Sequence, residues 1–281
     1  MDFLNFAAER GLIIKDLERG RWARVPTVDH PNKRNGAYFY DGDYAHVQNW
    51  ATMEQPETWQ EDKLRTPFDQ AAMQKRIEAS RRAHAQDRAD SQSKAAKKAC
   101  WILSQAELDM HAYADSKGFS DMRVNVWRKP DADPLMIIPM FYSGEVCGCQ
   151  LIGIDGSKKF LTGQQTNDAV FTFNAKGRVF LVEGWATAAS LRAVLGALKS
   201  PYTIHACFSA GNLGRMAKVF PDAFIVADND HSGTGQKVAQ ESGNRWWMPP
   251  DVGMDFNDLH KQLGTFKTSQ LFRKAMAGVS A

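Results

Sequence analysis

Residues 178–193 read RVFLVEGWATAASLRA, and residues 223–235 read AFIVADNDHSGTG. Each segment opens with a short apolar run that stops on acid. Val179-Phe180-Leu181-Val182 ends at Glu183, and Ala223-Phe224-Ile225-Val226-Ala227 ends at Asp228-Asn229-Asp230. Short runs rich in β-branched and aromatic residues between turn residues predict buried strands, and a helical pattern follows each. In open α/β sheets, ligands gather outside the carboxyl ends of the strands. Glu183, Asp228 and Asp230 are therefore expected on one rim of one sheet. Carboxylates so placed repel one another unless a cation lies between them, and hard oxygen ligands suit Mg²⁺ or Mn²⁺.

The flanking sequence extends this pattern. Tyr202 to Cys207 predicts a further strand, and Ser209, Gly211 and Asn212 offer a small, polar helix start of the kind that binds anions. Gln236 to Ser242 predicts a helix and Arg245 to Met248 a last short strand. Asp255-Phe256-Asn257-Asp258 opens another helix and brings Asp255 and Asp258 toward the same rim. An isolated acid after a strand is most often a helix cap. A Glu-Gly strand end, an Asp-Asn-Asp strand end and an Asp-Phe-Asn-Asp segment together favour a metal-assisted phosphoryl-transfer site.

Upstream, Leu135 to Asp155 predicts a β-hairpin turning at Ser143-Gly144. Asp155-Gly156 then leads into Ser157-Lys158-Lys159-Phe160-Leu161, with Gly163 closing that strand. Lys158 and Lys159 project from a turn and read equally as phosphate contacts or as surface lysines. Residues 99–118 predict an amphipathic helix that buries Trp101, Leu103, Leu108 and Tyr113. Residues 64–98 predict a long polar helix with nine Lys/Arg against four Asp/Glu. It reads as a connecting helix first and a phosphate contact second.

The first sixty residues have another texture. A short helix ends at Gly11, and small antiparallel strands are expected around Asn35-Gly36 and Asp41-Gly42-Asp43. Trp22, Tyr38, Phe39, Tyr40, Tyr44, Trp50 and Trp59 stand beside Arg19, Arg21, Arg24, Lys33 and Arg34. Such interleaving fits a surface for single-stranded nucleic acid, and it equally fits a small β module building its core.

The 281 residues are 43% hydrophobic and 24% charged with net charge +3, the balance of an ordinary globular chain. Cys100, Cys147, Cys149 and Cys207 are too scattered for a disulfide framework, and without a CxxC pair no zinc is expected. No apolar signal core or membrane-length run is present, so a cytoplasmic protein with no membrane partner is expected.

Leu181-Val182-Glu183-Gly184 with Val226-Ala227-Asp228-Asn229-Asp230 and Gly233 resembles the TOPRIM domain of primases, topoisomerases, certain nucleases and repair proteins. The resemblance is closer to DNA primases of the phage and plasmid type. It extends through His111 to Gly118, the hairpin Ile138-Pro139 to Gln150-Leu151, the Asp155-to-Phe160 turn, Phe208 to Leu213, and Asp255 to Asp258, covering residues 105–264. It implies an α/β fold: a TOPRIM domain with a mostly parallel sheet flanked by helices, preceded by a small α+β subdomain and a small β-rich module. The implied divisions are a module at 1–60, a basic helical linker at 61–98, a core subdomain at 99–172, the TOPRIM domain at 173–265 and a terminal helix at 266–281.

By the same resemblance, Glu183, Asp228 and Asp230 are catalytic metal ligands, with Asp255 and Asp258 near the metals. Lys158 or Lys159 would face the nucleotide or primer strand, and Ser209, Gly211 and Asn212 would line the site. The implied reaction joins ribonucleoside triphosphates into a primer on a single-stranded DNA template, with Mg²⁺ or Mn²⁺, during phage or plasmid replication in the host cytoplasm. Arg21, Trp22, Arg24, Lys33 and Arg34 would contact DNA from a cysteine-free counterpart of the family's zinc module. No GxxxxGK[ST] segment occurs, so a stand-alone primase working with a separate helicase is expected. The rival readings are a TOPRIM nuclease that cleaves DNA and a non-catalytic nucleic-acid-binding protein.

Overall fold

The structure is a computed structural model that describes residues 2–53, 55–61, 67–174 and 176–278, without the side chains of 67–73. The start of the predicted linker, 62–66, and the last residues, 279–281, lie outside the described residues. The chain divides into two compact units, Met1–Ser80 and Arg81–Ala281.

In the first unit, α1 (Phe3–Glu9) is capped by Asp2, whose carboxylate accepts the Asn5 N–H at 2.8 Å. Strands β1 (Trp22–Val25), β2 (Gly36–Tyr40), β3 (Tyr44–Asn49) and β4 (Glu57–Gln60) form an antiparallel sheet in that order. Side chains alternate across a strand, so β2 serves two cores. Tyr38 packs with Phe3, Ala7, Val47 and Trp59 on the α1 face. Phe39 joins Tyr44 and Ile77 on the other. Ile77 belongs to α2 (Pro67–Ser104), which continues into the second unit. The buried Tyr38 hydroxyl accepts the Glu18 N–H at 2.7 Å and donates to the Asp16 carbonyl at 3.0 Å.

The second unit holds two sheets. Strands β5 (Glu107–Asp109), β6 (Val124–Trp127), β7 (Leu135–Tyr142), β8 (Glu145–Ile152) and β9 (Lys158–Phe160) form an antiparallel sheet in chain order, with α3 (Ala112–Ser116) between β5 and β6. A second five-stranded sheet follows. It contains β10 (Phe171–Asn174), β11 (Arg178–Val182), β12 (Tyr202–Ala206), β13 (Phe224–Val226) and β14 (Arg245–Trp247). Its order is β10-β12-β11-β13-β14, and every pairing is parallel except β10 with β12. The intervening helices are α4 (Trp185–Ala197), α5 (Ala210–Val219) and α6 (Thr234–Glu241), and α7 (Phe256–Ala277) follows β14. This is the expected fold class.

The strand alternation assigns the layers. Phe180, Val182, Phe224 and Val226 pack against α4 and against Phe256 and Phe272 of α7. Leu181 and Ile225 pack against α5 and α6 through Leu213, Met216, Ala217 and Ala239. Helix α4 is also the contact with the antiparallel sheet, where Trp185, Ala186 and Ala189 meet Val126, Met136, Ile138 and Ile152. Its small residues let one helix lie against two sheets.

The predicted helix over 99–118 is corrected. No Gly or Pro occurs from Phe68 to Ser104, so α2 runs unbroken to Ser104. Its buried stripe is Ala95, Ala99 and Ile102, which face Trp127, Ile137 and Cys149. Trp101 and Leu108, expected inside, are 55% and 64% exposed. The chain needs residues 107–109 as an edge strand, and that ends the helix. Tyr113 is buried as expected, on the short α3.

Candidate active site

In the mixed sheet, the connection after β11 leads to β12 on one side, and the chain then crosses to β13 on the other. The carboxyl ends of β11 and β13 thus flank a topological switch point, where such sheets place ligands. Glu183 follows β11, and Asp228 and Asp230 follow β13. Between the two aspartates, Asn229 turns inward. Its amide donates to the Pro249 carbonyl at 2.9 Å, its N–H bonds the Met254 carbonyl at 3.1 Å, and its own carbonyl accepts the Gly253 N–H. One buried residue so clamped fixes the direction of both neighbouring acids. Gly235 lets α6 pack against them, because a Cβ there would stand 3.1 Å from the Asp228 carbonyl oxygen.

The carboxylates share one electrostatic environment. Asp228 is pushed up to about 7, first by burial and then by the negative charges of Glu183, Asp255 and Asp230. Glu183 is raised by burial and by Asp230. Asp255 is raised by burial, against the hydrogen bond from the Asp258 N–H. The cation that offsets Glu183 and Asp228 is Lys158, whose ammonium lies 5.7 Å from the centre of the Tyr113 ring. Strand alternation separates Lys158 from Lys159. The latter acts on Asp155 instead.

Other expected residues stand differently. Asp255 caps α7, accepting the Asp258 N–H at 2.7 Å, while the Asp258 carboxylate returns to the Asp255 N–H at 3.3 Å. Asp258 completes a capping box and acts on Asp255; it is not among the groups that raise Asp228 or Glu183. Asp230 is exposed, and its Oδ1 accepts from Ser232 and from the Gly233 N–H. Ser209 caps α5, and Gly211 is exposed at the same helix start. Asn212, expected to line a nucleotide site, has its side chain turned to the backbone. It is 5% exposed, donates to the Ala169 and Cys207 carbonyls and accepts the Asp168 N–H. Its amide is fully used in fastening the 161–169 loop to the end of β12.

Sequence reasoning missed Thr187, whose hydroxyl stands 3.5 Å from an Asp228 oxygen, and Lys117, whose charge acts on Asp255. It also missed the clamp at Asn229, although Asp-Asn-Asp after a strand carries that signal. With period two, the middle residue faces opposite to its neighbours and needs polar partners of its own.

In the first unit, Arg21 pairs with Glu18 at 2.6 Å, and the Arg24 guanidinium lies 4.0 Å over the exposed Trp50 ring. Trp22 stacks on His46 with 6.3 Å between ring centres, and Lys33 and Arg34 are exposed.

The carboxylates fit a divalent ion by their chemistry: hard oxygens that repel one another, with Lys158 beside Glu183 and Asp228. Among the described residues, no group of three or more His, Cys, Asp or Glu side chains is arranged to hold a metal ion. Mg²⁺ seldom needs one, since it keeps waters and substrate oxygens beside one or two carboxylates.

No known family model matches the chain. Three solved structures that contain primase parts are similar to it. A chain of the bacteriophage T7 lagging-strand DNA polymerase assembly with primase domains bound to an RNA/DNA hybrid and dTTP is 13% identical, with a TM-score of 0.44 over 60% of this chain and 91% of that one. A DNA primase domain from Pseudomonas aeruginosa is 17% identical, with a TM-score of 0.36 over 64% and 58%. The Escherichia coli primase catalytic core is 14% identical, with a TM-score of 0.33 over 54% and 56%. The match spans little more than half the length of the last two.

Proposed function

We propose that this protein is a DNA primase of the phage or plasmid type that joins ribonucleoside triphosphates into short primers on single-stranded DNA. The observation that carries this reading is the cluster of Glu183, Asp228, Asp230 and Asp255 at a topological switch point, opposed by Lys158 from the neighbouring sheet. Glu183 and Asp228 are the ligands best placed for Mg²⁺ or Mn²⁺, with Asp230 and Asp255 completing the negative field. When bound, the ion would neutralise the triphosphate and orient it for in-line attack. Asp228 must be ionised to serve, and its raised pKa makes that dependent on the bound cation. Lys158 offers a phosphate contact beside the carboxylates, while Ser209 and Gly211 present the start of α5 to an anion. Asn229 holds the two aspartates apart while charge builds up between them.

The test is synthesis. Single-stranded template, labelled ribonucleotides and Mg²⁺ or Mn²⁺ are expected to give short oligoribonucleotides. Glu183→Gln and Asp228→Asn should lose synthesis and keep DNA binding. Strand cleavage with no oligoribonucleotide product would replace this reading with that of a nuclease, and variants that keep the protein's whole DNA function would show a binding protein.

A further inference from the structure

Away from the acidic rim, α2 and the loop after β9 enclose a cavity of about 520 Å³. The face of α2 that buries Ala95, Ala99 and Ile102 carries Arg88, Ser91 and Gln92 one to two turns earlier, at the same helical spacing. There the sheet has ended, and the facing wall is Gln165, Thr166 and Asn167. A stripe that is apolar where it meets the sheet is thus polar where it meets the loop.

The walls are held in place independently of any ligand. Gly163, at φ +77°, lets the loop approach α2 so closely that a Cβ there would stand 3.0 Å from the Ser91 Cβ. The Gln164 side-chain oxygen Oε1 accepts the Cys149 and Leu161 N–H groups at 3.0 and 3.2 Å. Asn212 fastens the other end at Asp168 and Ala169. Among the described residues, Arg88, Ser91, Gln92, Thr166 and Asn167 make no side-chain hydrogen bonds, so their donors and acceptors remain available.

We propose that this cavity receives one unstacked base of a single-stranded nucleic acid whose phosphates run past Arg81 and Arg88 of α2. Amides present a donor and an acceptor together, which is what a base edge requires. The volume suits a nucleotide-sized group. Arg81 and Arg88, two turns apart on the same face of the helix, are exposed and supply the phosphate contacts. The proposal rests on the primase reading only in taking nucleic acid as the ligand.

The experiment measures fluorescence anisotropy of the full chain with labelled single-base oligodeoxynucleotides, oligoribonucleotides and an abasic strand, without metal or nucleotide. Replacing Gln92→Ala and Asn167→Ala together should weaken binding about tenfold, the loss of a paired base contact, with an unchanged salt slope. The abasic strand should bind the original protein as weakly as ordinary strands bind this variant. Arg88→Ala should lower the salt slope by about one. The DNA and RNA arms identify the preferred strand. Asn167→Ala alone, at an exposed loop position, keeps the test valid if the double variant does not fold. Equal affinities across the amide variants and the abasic strand, or no binding at all, would overturn the proposal. Absence of primer synthesis would leave this binding test intact, and a negative result here would leave the synthesis test intact.

Discussion

The aromatic-basic first unit and the acidic rim of the second both carry residues that suggest a ligand, and the structure uses them in opposite ways. In the first unit, Tyr38, Phe39, Tyr44 and Trp59 are spent on two small cores. Three of its arginines are paired with acids: Arg10 with Glu57, Arg21 with Glu18, and Arg76 with Asp41. At the rim, burial and then neighbouring acids raise Glu183 and Asp228, and Lys158 opposes them. A group that the fold already satisfies needs no ligand to explain it. A group left in conflict with its neighbours marks the place where something is to be bound.

The sharpest way to break this contrast is at Asp228. Asp228→Asn should lower primer synthesis by about a thousandfold or more, roughly 4 kcal/mol of transition-state stabilisation, in single-turnover assays. A residual rate near that of the unsubstituted protein would remove the rim from the chemistry. In the first unit, Tyr38→Ala should cost about 3 kcal/mol of stability and be seen in denaturant unfolding of that unit, since it empties a core site and strands the Glu18 N–H. A negligible loss would return the aromatics to the surface reading.

The third effect is the pH dependence of the metal-free protein. Asp228 has a folded pKa of about 7 against an ordinary value of 3.8. A raised folded pKa means that its contribution is fully present below the ordinary value and is lost as pH rises through about 7. Thermal unfolding without metal should therefore show higher stability near pH 5 than near pH 8. Asp228→Asn should flatten that profile, and added Mg²⁺ should restore stability at the higher pH. The smallest effect is expected at Arg21. Arg21→Ala removes an exposed ion pair and should change stability by less than about 0.5 kcal/mol, with any larger change confined to nucleic-acid binding.

Much of the second unit was legible because its information is local. The runs before Glu183 and Asp228 are short and uniform, and Ser143-Gly144 and Asp155-Gly156 mark their turns in the letters themselves. Strand β10 is not among the expected strands, since the alternation of Phe171–Asn174 lasts only four residues and the strand is defined by pairing with β12 about thirty residues on. The end of α2 was misplaced because Trp101 is the larger apolar residue, while the sheet takes Ile102. Which of Lys158 and Lys159 faces the acids depends on the register of β9 against β8, a non-local fact. Small polar residues at helix starts serve ligands and backbone alike, and the three partners of the Asn212 side chain depend on where the 161–169 loop lies.

Helix α4 has a consequence for how the second unit comes apart. The same thirteen residues supply apolar contacts to the core around Phe180 and to the core around Met136. Neither sheet keeps a complete interior if that helix leaves. The two sheets are thus bound to melt in a single cooperative step, and fragments divided at the loop before β10 would each expose the surface the other was built to cover.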